Sequence, residues 1–446
     1  MRAEKFFGCL AAVTLTFLVA CRPPSRANQD PVHSGDAGSG GSDPAGGTFG
    51  SGGGSGGAAG GAADQGGTAD PGGTTATGGT VAVGGTFAVG GTVVVGGITA
   101  TGGTIAIGGT TGTGGRTGAG GTLACTSTSV PSSFAWSSTD SLMDPVSDST
   151  SHLLVAIKDP TVVLFGGKYH LYATVVSTTG NMNTTYTAFL AFATSGAATT
   201  YYMDYTAGFS GSRYSPQLFY LSSQKKWYLI TQSGGPSYST AADPSLVTTW
   251  TKPTNFFSST PSIVTQNAGS GGIGWTDFRI ICDTANCHMF FTNQNGSLFR
   301  SQTSVGSFPS GFGTPVVVMK GANANSLYAS SEVYKVKGTS KYLLLAEAIG
   351  NSGRYIRSWT ADALDGTWTA LADTESNPFA GASNVTFSGT KWTADISHGE
   401  IVRDGYDETM TVNPCNLQYF FQGRNQYSTV SAALLPWKLG LLTKTK

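Results

Sequence analysis

Residues that could do chemistry stand at the beginning of several apolar runs in the second part of the chain. The ones that deserve inspection are Lys158, Asp159, Arg213, Gln217, Asp277, Ser397 and His398. Two carboxylates that converge on one site are typical of glycosidases, in which one activates water and another donates a proton. Asp159 and Asp277 are candidates for such a pair if the fold brings their strands together. The residue types alone do not demand it, because an Asp before a proline is commonly a turn residue.

The elements that must position these residues form a two-strand unit that recurs five times after Cys125. The paired runs are 159–165 with 168–172, 215–220 with 226–230, 277–281 with 287–291, 332–336 with 341–345, and 396–402 with 417–421. Apolar runs alternate with Gly, Asn, Ser and Asp clusters, which indicates an all-β fold. Units that start about sixty residues apart, with room for two further strands in each gap, predict a five-bladed β-propeller. A large β-sandwich with fortuitous spacing is the alternative.

Composition separates this segment from the one before it. Of the 64 glycines in 446 residues, 36 lie between Gly35 and Gly121. Many of them belong to a Gly-Gly-Thr unit with a period of six, which could stack as a parallel β-helix. A flexible linker over residues 21–122 is the preferred interpretation, because such small side chains bury too little apolar area to offset backbone entropy. The folded domain is then predicted over residues 123–446.

The first residues of the chain read as an export signal. Arg2 and Lys5 precede an uncharged apolar run that ends in Leu18-Val19-Ala20-Cys21. This pattern predicts a signal peptide over residues 1–20. Its last four residues resemble a bacterial lipobox, so we expect Cys21 to carry a lipid that anchors an exported protein at the cell surface or in the periplasm. An ordinary secreted protein is the alternative.

Charge and cysteine content limit the possible partners and the cross-links of the protein. The 25 basic residues equal the 25 acidic ones, which argues against a nucleic-acid partner. Four cysteines in an exported domain predict two disulfides. Cys282 and Cys287 flank one turn and can pair locally, and Cys125 would then pair with Cys415 to close the ring. Metal binding is the alternative, although the spacings match no zinc pattern.

The second part of the chain also resembles a known family. The segments that carry the resemblance are 157–163 (IKDPTVV), 275–278 (WTDF), 281–283 (ICD), 333–338 (VYKVKG), 347–350 (EAIG), 354–360 (RYIRSWT), 377–381 (NPFAG), 395–400 (DISHGE) and 435–442 (LPWKLGLL). Together they resemble the α-L-arabinofuranosidases of glycoside hydrolase family 62 from about Cys125 onward. The resemblance implies a five-bladed propeller that removes arabinofuranosyl branches from arabinoxylan with inversion and requires no cofactor.

Residue roles follow from the same resemblance. It makes Asp159 the general base and Asp277 the carboxylate that orients the sugar and raises the pKa of the acid. Substrate-binding roles are implied for Lys158, Arg357, His398 and Tyr427. Gln217 is a further substrate-binding candidate because it lies near the start of an inner strand. His398 facing a structural calcium at the axis is the alternative role for that residue.

The chain departs from the family pattern at the position of the general acid. The family places a Glu where this chain has Ala329, and losing a general acid removes a factor of about 10²–10⁴ in rate. Glu332 is a candidate substitute only if the strand bulges, because an offset of three turns a side chain to the opposite face. Glu347 matches the family's own pattern and is interpreted as structural.

Three functions remain open from the sequence. The first is an active arabinofuranosidase that works as a monomer on arabinoxylan or its oligosaccharides. The second is an arabinoxylan-binding propeller that is disabled at Ala329, either naturally or as an engineered inactive variant. The third is an adhesion or scaffold propeller without sugar chemistry, which the joint presence of Asp159, Asp277 and His398 disfavours.

Overall fold

The computed structural model of the chain describes residues 129–148, 152–205, 209, 211–269, 274–425 and 427–445. The signal peptide, Cys21, the glycine-rich linker and Cys125 lie outside the described residues, so the predictions made for them stay predictions. Within the described ranges, no helix is both long and apolar enough to cross a membrane.

Strands make up almost all of the regular structure. The first is the short strand β1 (Trp136–Ser138). The next eight are β2 (Leu154–Phe165), β3 (Lys168–Ser177), β4 (Met182–Phe189), β5 (Thr200–Tyr202), β6 (Tyr214–Leu221), β7 (Lys226–Gln232), β8 (Pro236–Ala241) and β9 (Thr254–Asn255). They are followed by β10 (Thr276–Cys282), β11 (Asn286–Thr292), β12 (Ser297–Ser304), β13 (Val316–Lys320), β14 (Ala329–Val336), β15 (Tyr342–Ile349), β16 (Arg354–Ala361) and β17 (Thr369–Thr374). The last are β18 (Asn377–Pro378), β19 (Val385–Phe387), β20 (Gly399–Ile401), β21 (Thr411–Val412), β22 (Gln418–Gly423) and β23 (Lys438–Lys444).

In the described ranges, helical structure is confined to segments of three to six residues between strands. The one α-helix is α1 (Ser262–Asn267), among the described residues. The 3₁₀ helices there are Phe192–Ala197, Met203–Tyr205, Val247–Thr249, Ala324–Leu327 and Ala432–Leu434.

These strands form five sheets, which confirms the predicted five-bladed propeller. The first three sheets run β2-β3-β4-β5, β6-β7-β8-β9 and β10-β11-β12-β13. The fourth runs β18-β17-β16-β15-β14-β21, and the fifth runs β19-β1-β23-β22-β20. Because β1 pairs antiparallel with β23, the first strand of the domain completes the last sheet and closes the ring.

Neighbouring sheets are joined by side chains near the start of the inner strands β2, β6, β10, β14 and β20. The Thr161 hydroxyl accepts the backbone N–H of Leu218 at 3.1 Å, and the Gln217 amide oxygen accepts that of Ile280 at 2.7 Å. At the closing junction, Glu400 accepts the N–H of Val162 at 2.7 Å. Each bond satisfies a buried backbone donor that the neighbouring sheet cannot reach by pairing, so it fixes the inner strands relative to one another.

The core consists of side chains between the faces of adjacent sheets. All seven residues of β10 are buried, including the polar Thr276, Asp277 and Arg279, so this strand does not alternate between buried and exposed positions. Trp275 packs edge-on against Phe278 with ring centroids 5.3 Å apart, and Phe278 lies 5.3 Å from Phe291. Burial of each such aromatic side chain contributes about 1.5–3 kcal/mol.

The disulfide predicted for the third unit is present. Cys282 and Cys287 pair directly across β10 and β11 and are bonded to each other. Cys415 is disulfide-bonded, and its predicted partner Cys125 lies outside the described residues.

Candidate functional site

The inner strands of the first four sheets share a backbone distortion at the end that faces the central pocket. Asp159, Ser215, Asp277 and Ser330 have φ values of 49°, 53°, 58° and 56°. Each lies in a register shift between its inner strand and the next strand. Non-glycine residues rarely adopt this left-handed conformation. The bulges therefore store strain that the fold must hold in place, and they aim the side chains on either side of them at the axis.

Hydrogen bonds from the preceding sheet hold each bulge. The backbone N–H of the bulged residue donates to a side chain there, as does the N–H of His398 in the fifth sheet. The donor and acceptor pairs are Asp159 with Gln422 (2.7 Å), Ser215 with Thr174 (2.8 Å), Asp277 with Gln232 (2.8 Å), Ser330 with Asp277 (3.0 Å) and His398 with Glu347 (2.9 Å). This ring of five bonds fixes the geometry of the site from all sides.

The residues at and beside the bulges enclose a pocket of about 320 Å³ at the axis. Its lining includes Lys158, Asp159, Tyr214, Thr276, Asp277, Tyr328, Ala329, Glu347, Arg354, His398, Gln422 and Trp437. Polar and charged groups from every sheet therefore converge on one small cavity, which is the arrangement expected for a site that binds a polar molecule of limited size.

The two aspartates predicted as site carboxylates meet across His398. The imidazole Nδ1 lies 3.4 Å from Asp159 Oδ1 and 3.8 Å from Asp277 Oδ2. Both carboxylates are almost fully buried, with 5% and 7% of their surface exposed. Lys158 Nζ lies 3.4 Å from the second oxygen of Asp159, which offsets part of the negative charge. The structure thus brings together four residues that the sequence had singled out.

Asp277 is held as a carboxylate. Burial by itself raises the pKa of Asp277, but His398, Arg279 and hydrogen bonds from Ser330 and Ser215 outweigh burial and lower it. The Ser215 hydroxyl donates to Oδ1 at 2.9 Å, and the Ser330 amide donates to Oδ2. Both oxygens are thereby acceptors.

Arg279 lies beneath the pocket at the centre of the ring. Its Nη2 donates to His398 Nε2 at 2.6 Å, so the neutral imidazole carries its proton on Nδ1, facing the two aspartates. Its Nε contacts Glu332, and its Nη1 donates to the carbonyl of Phe278 at 3.0 Å. Burial opposes the charge on Arg279, but Glu332 and Asp277 outweigh it and raise its pKa. The guanidinium supplies the positive charge at the axis.

The arrangement around His398 does not fit a calcium site. No group of three or more His, Cys, Asp or Glu side chains in the described ranges is disposed to hold a metal ion. His398 Nε2 accepts from Arg279, and Nδ1 of the neutral imidazole then carries the proton, so neither ring nitrogen has a free lone pair for a metal ion. No chemical step is therefore assigned to calcium below.

Glu332 does not replace the missing acid. The bulge that such a role would require is present between Ala329 and Glu332, but it directs the Glu332 carboxylate to Arg279 below the pocket rather than into it. Burial raises the pKa of Glu332, while Arg279 and His398 more than compensate and lower it. An ionised, paired carboxylate has no proton to give.

Three predicted sugar-binding residues also lie elsewhere. Gln217 exchanges two hydrogen bonds with the backbone of Ile280 and joins the second and third sheets. Arg357 binds Asp373 at 3.0 Å and lines a separate cavity behind the fourth sheet. Tyr427 is 80% exposed and does not contribute to the pocket lining.

Two charged residues that line the pocket, Arg354 and Glu347, were not predicted as site residues from the sequence. Arg354 Nη1 donates to Glu347 at 2.5 Å, and the guanidinium stacks over Tyr328 and Trp437. The signal was available: residues three apart in a strand face opposite sides, so Arg354 and Arg357 cannot both point into the pocket. Glu347 pairs with Ala329 across β14 and β15, which puts its side chain on the pocket face.

A five-bladed propeller with two carboxylates around one enclosed polar pocket has the architecture of a propeller glycosidase. Comparison with known proteins agrees. Residues 135–443 match glycosyl hydrolase family 62, and the chain belongs to that family.

Individual relatives cover the same region. The chain is 37% identical over 320 residues to α-L-arabinofuranosidase C of Cellvibrio japonicus, a match that covers 70% of this chain and 47% of that protein. The chain therefore spans about half the length of this curated relative.

Solved structures resemble the domain closely. The catalytic domain of the Coprinopsis cinerea family 62 α-L-arabinofuranosidase is 46% identical, with a TM-score of 0.69, and the match covers 71% of this chain and 98% of that one. The Podospora anserina α-L-arabinofuranosidase in complex with cellotriose is 40% identical, with a TM-score of 0.68 and the same coverage. A family 62 hydrolase in complex with xylotriose is also 40% identical, with a TM-score of 0.67 and coverage of 70% and 98%.

Proposed function

We propose that the axial pocket binds a terminal α-L-arabinofuranosyl unit of arabinoxylan and hydrolyses its glycosidic bond with inversion. The observation that carries this proposal is the convergence of Asp159 and Asp277 on one His398 nitrogen in a small enclosed pocket. A volume of about 320 Å³ is at the lower end of the range for ligand pockets, which favours one sugar ring over a run of several. Membership of family 62 supports the same assignment.

Asp159 is the general base in this mechanism. It takes a proton from a water molecule whose oxygen attacks the anomeric carbon from the face opposite the leaving oxygen. His398 keeps the base in position through its Nδ1, and Lys158 balances the charge of the carboxylate. Because the base must accept a proton, removing the negative charge of Asp159 is expected to lower the rate of hydrolysis severely.

Asp277 orients the sugar and stabilises positive charge that develops at the anomeric carbon. Its two oxygens are fixed by Ser215 and Ser330, so the negative charge needs no rearrangement during reaction. Lys158 and Arg354, which both line the cavity, provide donors for sugar hydroxyls. The xylan chain lies outside the pocket in this proposal. Two related structures hold cellotriose or xylotriose, which supports a substrate of several sugar units.

Release of arabinose from arabinoxylan tests the proposal. The native chain should release free arabinose, and Asp159→Asn should lower the rate by about 10²–10⁴. Asp362→Asn is the matched control, since the Asp362 side chain is 73% exposed and pairs only with a surface lysine in the described part of the chain. An equal loss of rate in Asp159→Asn and Asp362→Asn would contradict the proposal. So would the absence of arabinose release by both the native chain and Ala329→Glu.

A disabled binding protein is the second candidate, because Ala329 faces the pocket where the family pattern has an acid. Its distinguishing result is tight binding of arabinoxylan oligosaccharides by the native chain without arabinose release, together with release by Ala329→Glu.

We also propose that the protein is exported and held at a membrane by a lipid on Cys21. The support is the sequence pattern before Cys21. Labelled palmitate should enter the native protein in its host and not the Cys21→Ser variant. Equal labelling of both would contradict the anchor.

A further inference from the structure

At the start of its inner strand, the fourth sheet contributes only the methyl group of Ala329 to the pocket lining. Ala329 precedes the bulge of β14, and the corresponding residues of the first three sheets are Lys158, Tyr214 and Thr276. All four line the pocket. Of these four equivalent positions, Ala329 is the one that offers no polar side chain to a bound molecule.

Glu347 lies directly across from Ala329 but is committed as an acceptor. Its Oε1 receives Arg354, and its Oε2 receives both the Ser397 hydroxyl and the His398 amide at 2.9 Å. Burial works against the charge on Arg354, but Glu347 outweighs it and raises the Arg354 pKa. Both oxygens of Glu347 are therefore occupied as acceptors, one of them by a guanidinium, and neither presents an O–H to a leaving oxygen.

The remaining carboxylates near the axis are in the same state. Both oxygens of Asp277 accept hydrogen bonds, and Glu332 is paired with Arg279. Asp159 is the base and must be ionised to act. Among the described side chains that line the pocket, no carboxylic acid is left to serve as a proton donor.

The imidazole of His398 also carries a proton, but its Nδ1 faces the carboxylates of Asp159 and Asp277. Burial lowers the pKa of His398, while Asp277 and Glu332 outweigh burial and raise it, so the proton is held between these groups.

Tyr214 and Arg354, which also line the pocket, are weak acids. Burial raises the pKa of Tyr214 above that of an ordinary phenol, with Asp277 and Asp159 adding to the effect against Gln232 and Lys158. Arg354 is held charged by Glu347. Neither group matches the requirement that a general acid titrate near the operating pH.

We infer that this pocket acts preferentially on arabinofuranosides whose leaving group departs as a stable anion, such as those of phenols. This inference rests on the proposed function. In the step, water oxygen bonds to the anomeric carbon while the bond from that carbon to the leaving oxygen breaks and its electron pair stays on that oxygen. Asp159 takes the water proton, and the phenolate leaves and is protonated by solvent. An alkyl linkage of arabinoxylan, which would leave as an alkoxide, is cleaved much more slowly.

A series of aryl α-L-arabinofuranosides with leaving phenols of graded acidity tests the inference without any variant. The native chain should cleave the nitrophenyl member fastest, and kcat/KM should fall steeply along the series to the methyl glycoside. Ala329→Glu should raise the ratio of methyl-glycoside to nitrophenyl-glycoside rates by about 10²–10⁴, the worth of a general acid. Ala329→Gln is the matched control: it fills the same space, cannot donate a carboxyl proton and should leave the ratio where it is.

Each outcome is decisive. A native chain that cleaves methyl and nitrophenyl glycosides at similar rates overturns the inference, because a proton donor must then be present. An equal rise in the ratio for the Gln variant overturns it as well, since packing rather than acidity would be responsible. If the native chain cleaves no member of the series but Ala329→Glu releases arabinose from arabinoxylan, the inference fails, the site is still an arabinofuranosyl site, and the native chain is the disabled binding protein of the second candidate. If both chains are inactive on every substrate, both fail.

Discussion

The carboxylate of Asp277 accepts the backbone N–H of Ser330 at 3.0 Å, so a residue of the pocket also joins the third sheet to the fourth. At the other four junctions, the acceptor belongs to the second strand of its sheet: Thr174, Gln232, Glu347 or Gln422. The corresponding residue of the third sheet is Thr292, which pairs with Thr276. Its buried hydroxyl finds no partner in the structure. Asp277 therefore accepts the hydrogen bond between sheets that, at the other four junctions, a residue of the second strand accepts.

Asp277→Asn should destabilise the domain as well as impair catalysis. An amide in place of the carboxylate removes the charged acceptor of the hydrogen bonds from Ser215 and Ser330. A hydrogen bond to a charged acceptor contributes about 1.5–3 kcal/mol to stability. Urea denaturation measures the change in the free energy of unfolding. Thr292→Val is the matched control and should change it by less than about 1 kcal/mol, because its hydroxyl has no bond to lose. A larger effect from Thr292→Val than from Asp277→Asn would refute the assignment.

The stability that Asp277 contributes should depend on pH. Burial raises its pKa, but His398, Arg279 and its hydrogen bonds lower it below the ordinary value in the folded state. A group with a lowered folded pKa stabilises the protein above its unfolded pKa, and this contribution is lost as the pH falls through the folded value. The gap in unfolding free energy between the native chain and Asp277→Asn should therefore be full at neutral pH and shrink below about pH 4. A gap that widens on acidification would contradict the sign.

Arg354, rather than Arg357, should be the arginine that matters for substrate. Arg354→Lys keeps the charge but loses the guanidinium fork between Glu347 and the pocket, so KM should rise about tenfold, the equivalent of one hydrogen bond. Arg357→Lys should leave KM and kcat unaltered, because Arg357 lines a different cavity and binds Asp373. Steady-state kinetics on a nitrophenyl arabinofuranoside separates the two. Matching effects would mean that the pocket has been placed wrongly.

The sequence was sufficient for the five sheets because each inner strand and its neighbour leave a local signature of apolar runs around a polar turn. It was also sufficient for Asp159, Asp277, Lys158 and His398, since each begins such a run. It could not show the bulges at Asp159, Ser215, Asp277 and Ser330, because a positive φ at a non-glycine residue is imposed by the neighbouring sheet.

The errors at the site have the same origin. Glu332 looked like a substitute acid as long as its partner was unknown, and Arg279, 53 residues away in the chain, determines where it points. Gln217 and Arg357 were assigned to the sugar although their contacts, to Ile280 and to Asp373, lie within and between sheets. Such contacts depend on tertiary packing, which no local pattern reports.

The central claim is that Asp159 activates a water molecule on the face of the sugar opposite the leaving oxygen. It is tested most directly by following the anomeric proton of arabinose by NMR during the first turnovers on a nitrophenyl α-L-arabinofuranoside. Inversion by this site predicts that β-L-arabinofuranose forms first and that the α anomer follows by mutarotation. If the α anomer forms first, the bond is broken with retention, and Asp159 is not the base of an inverting site.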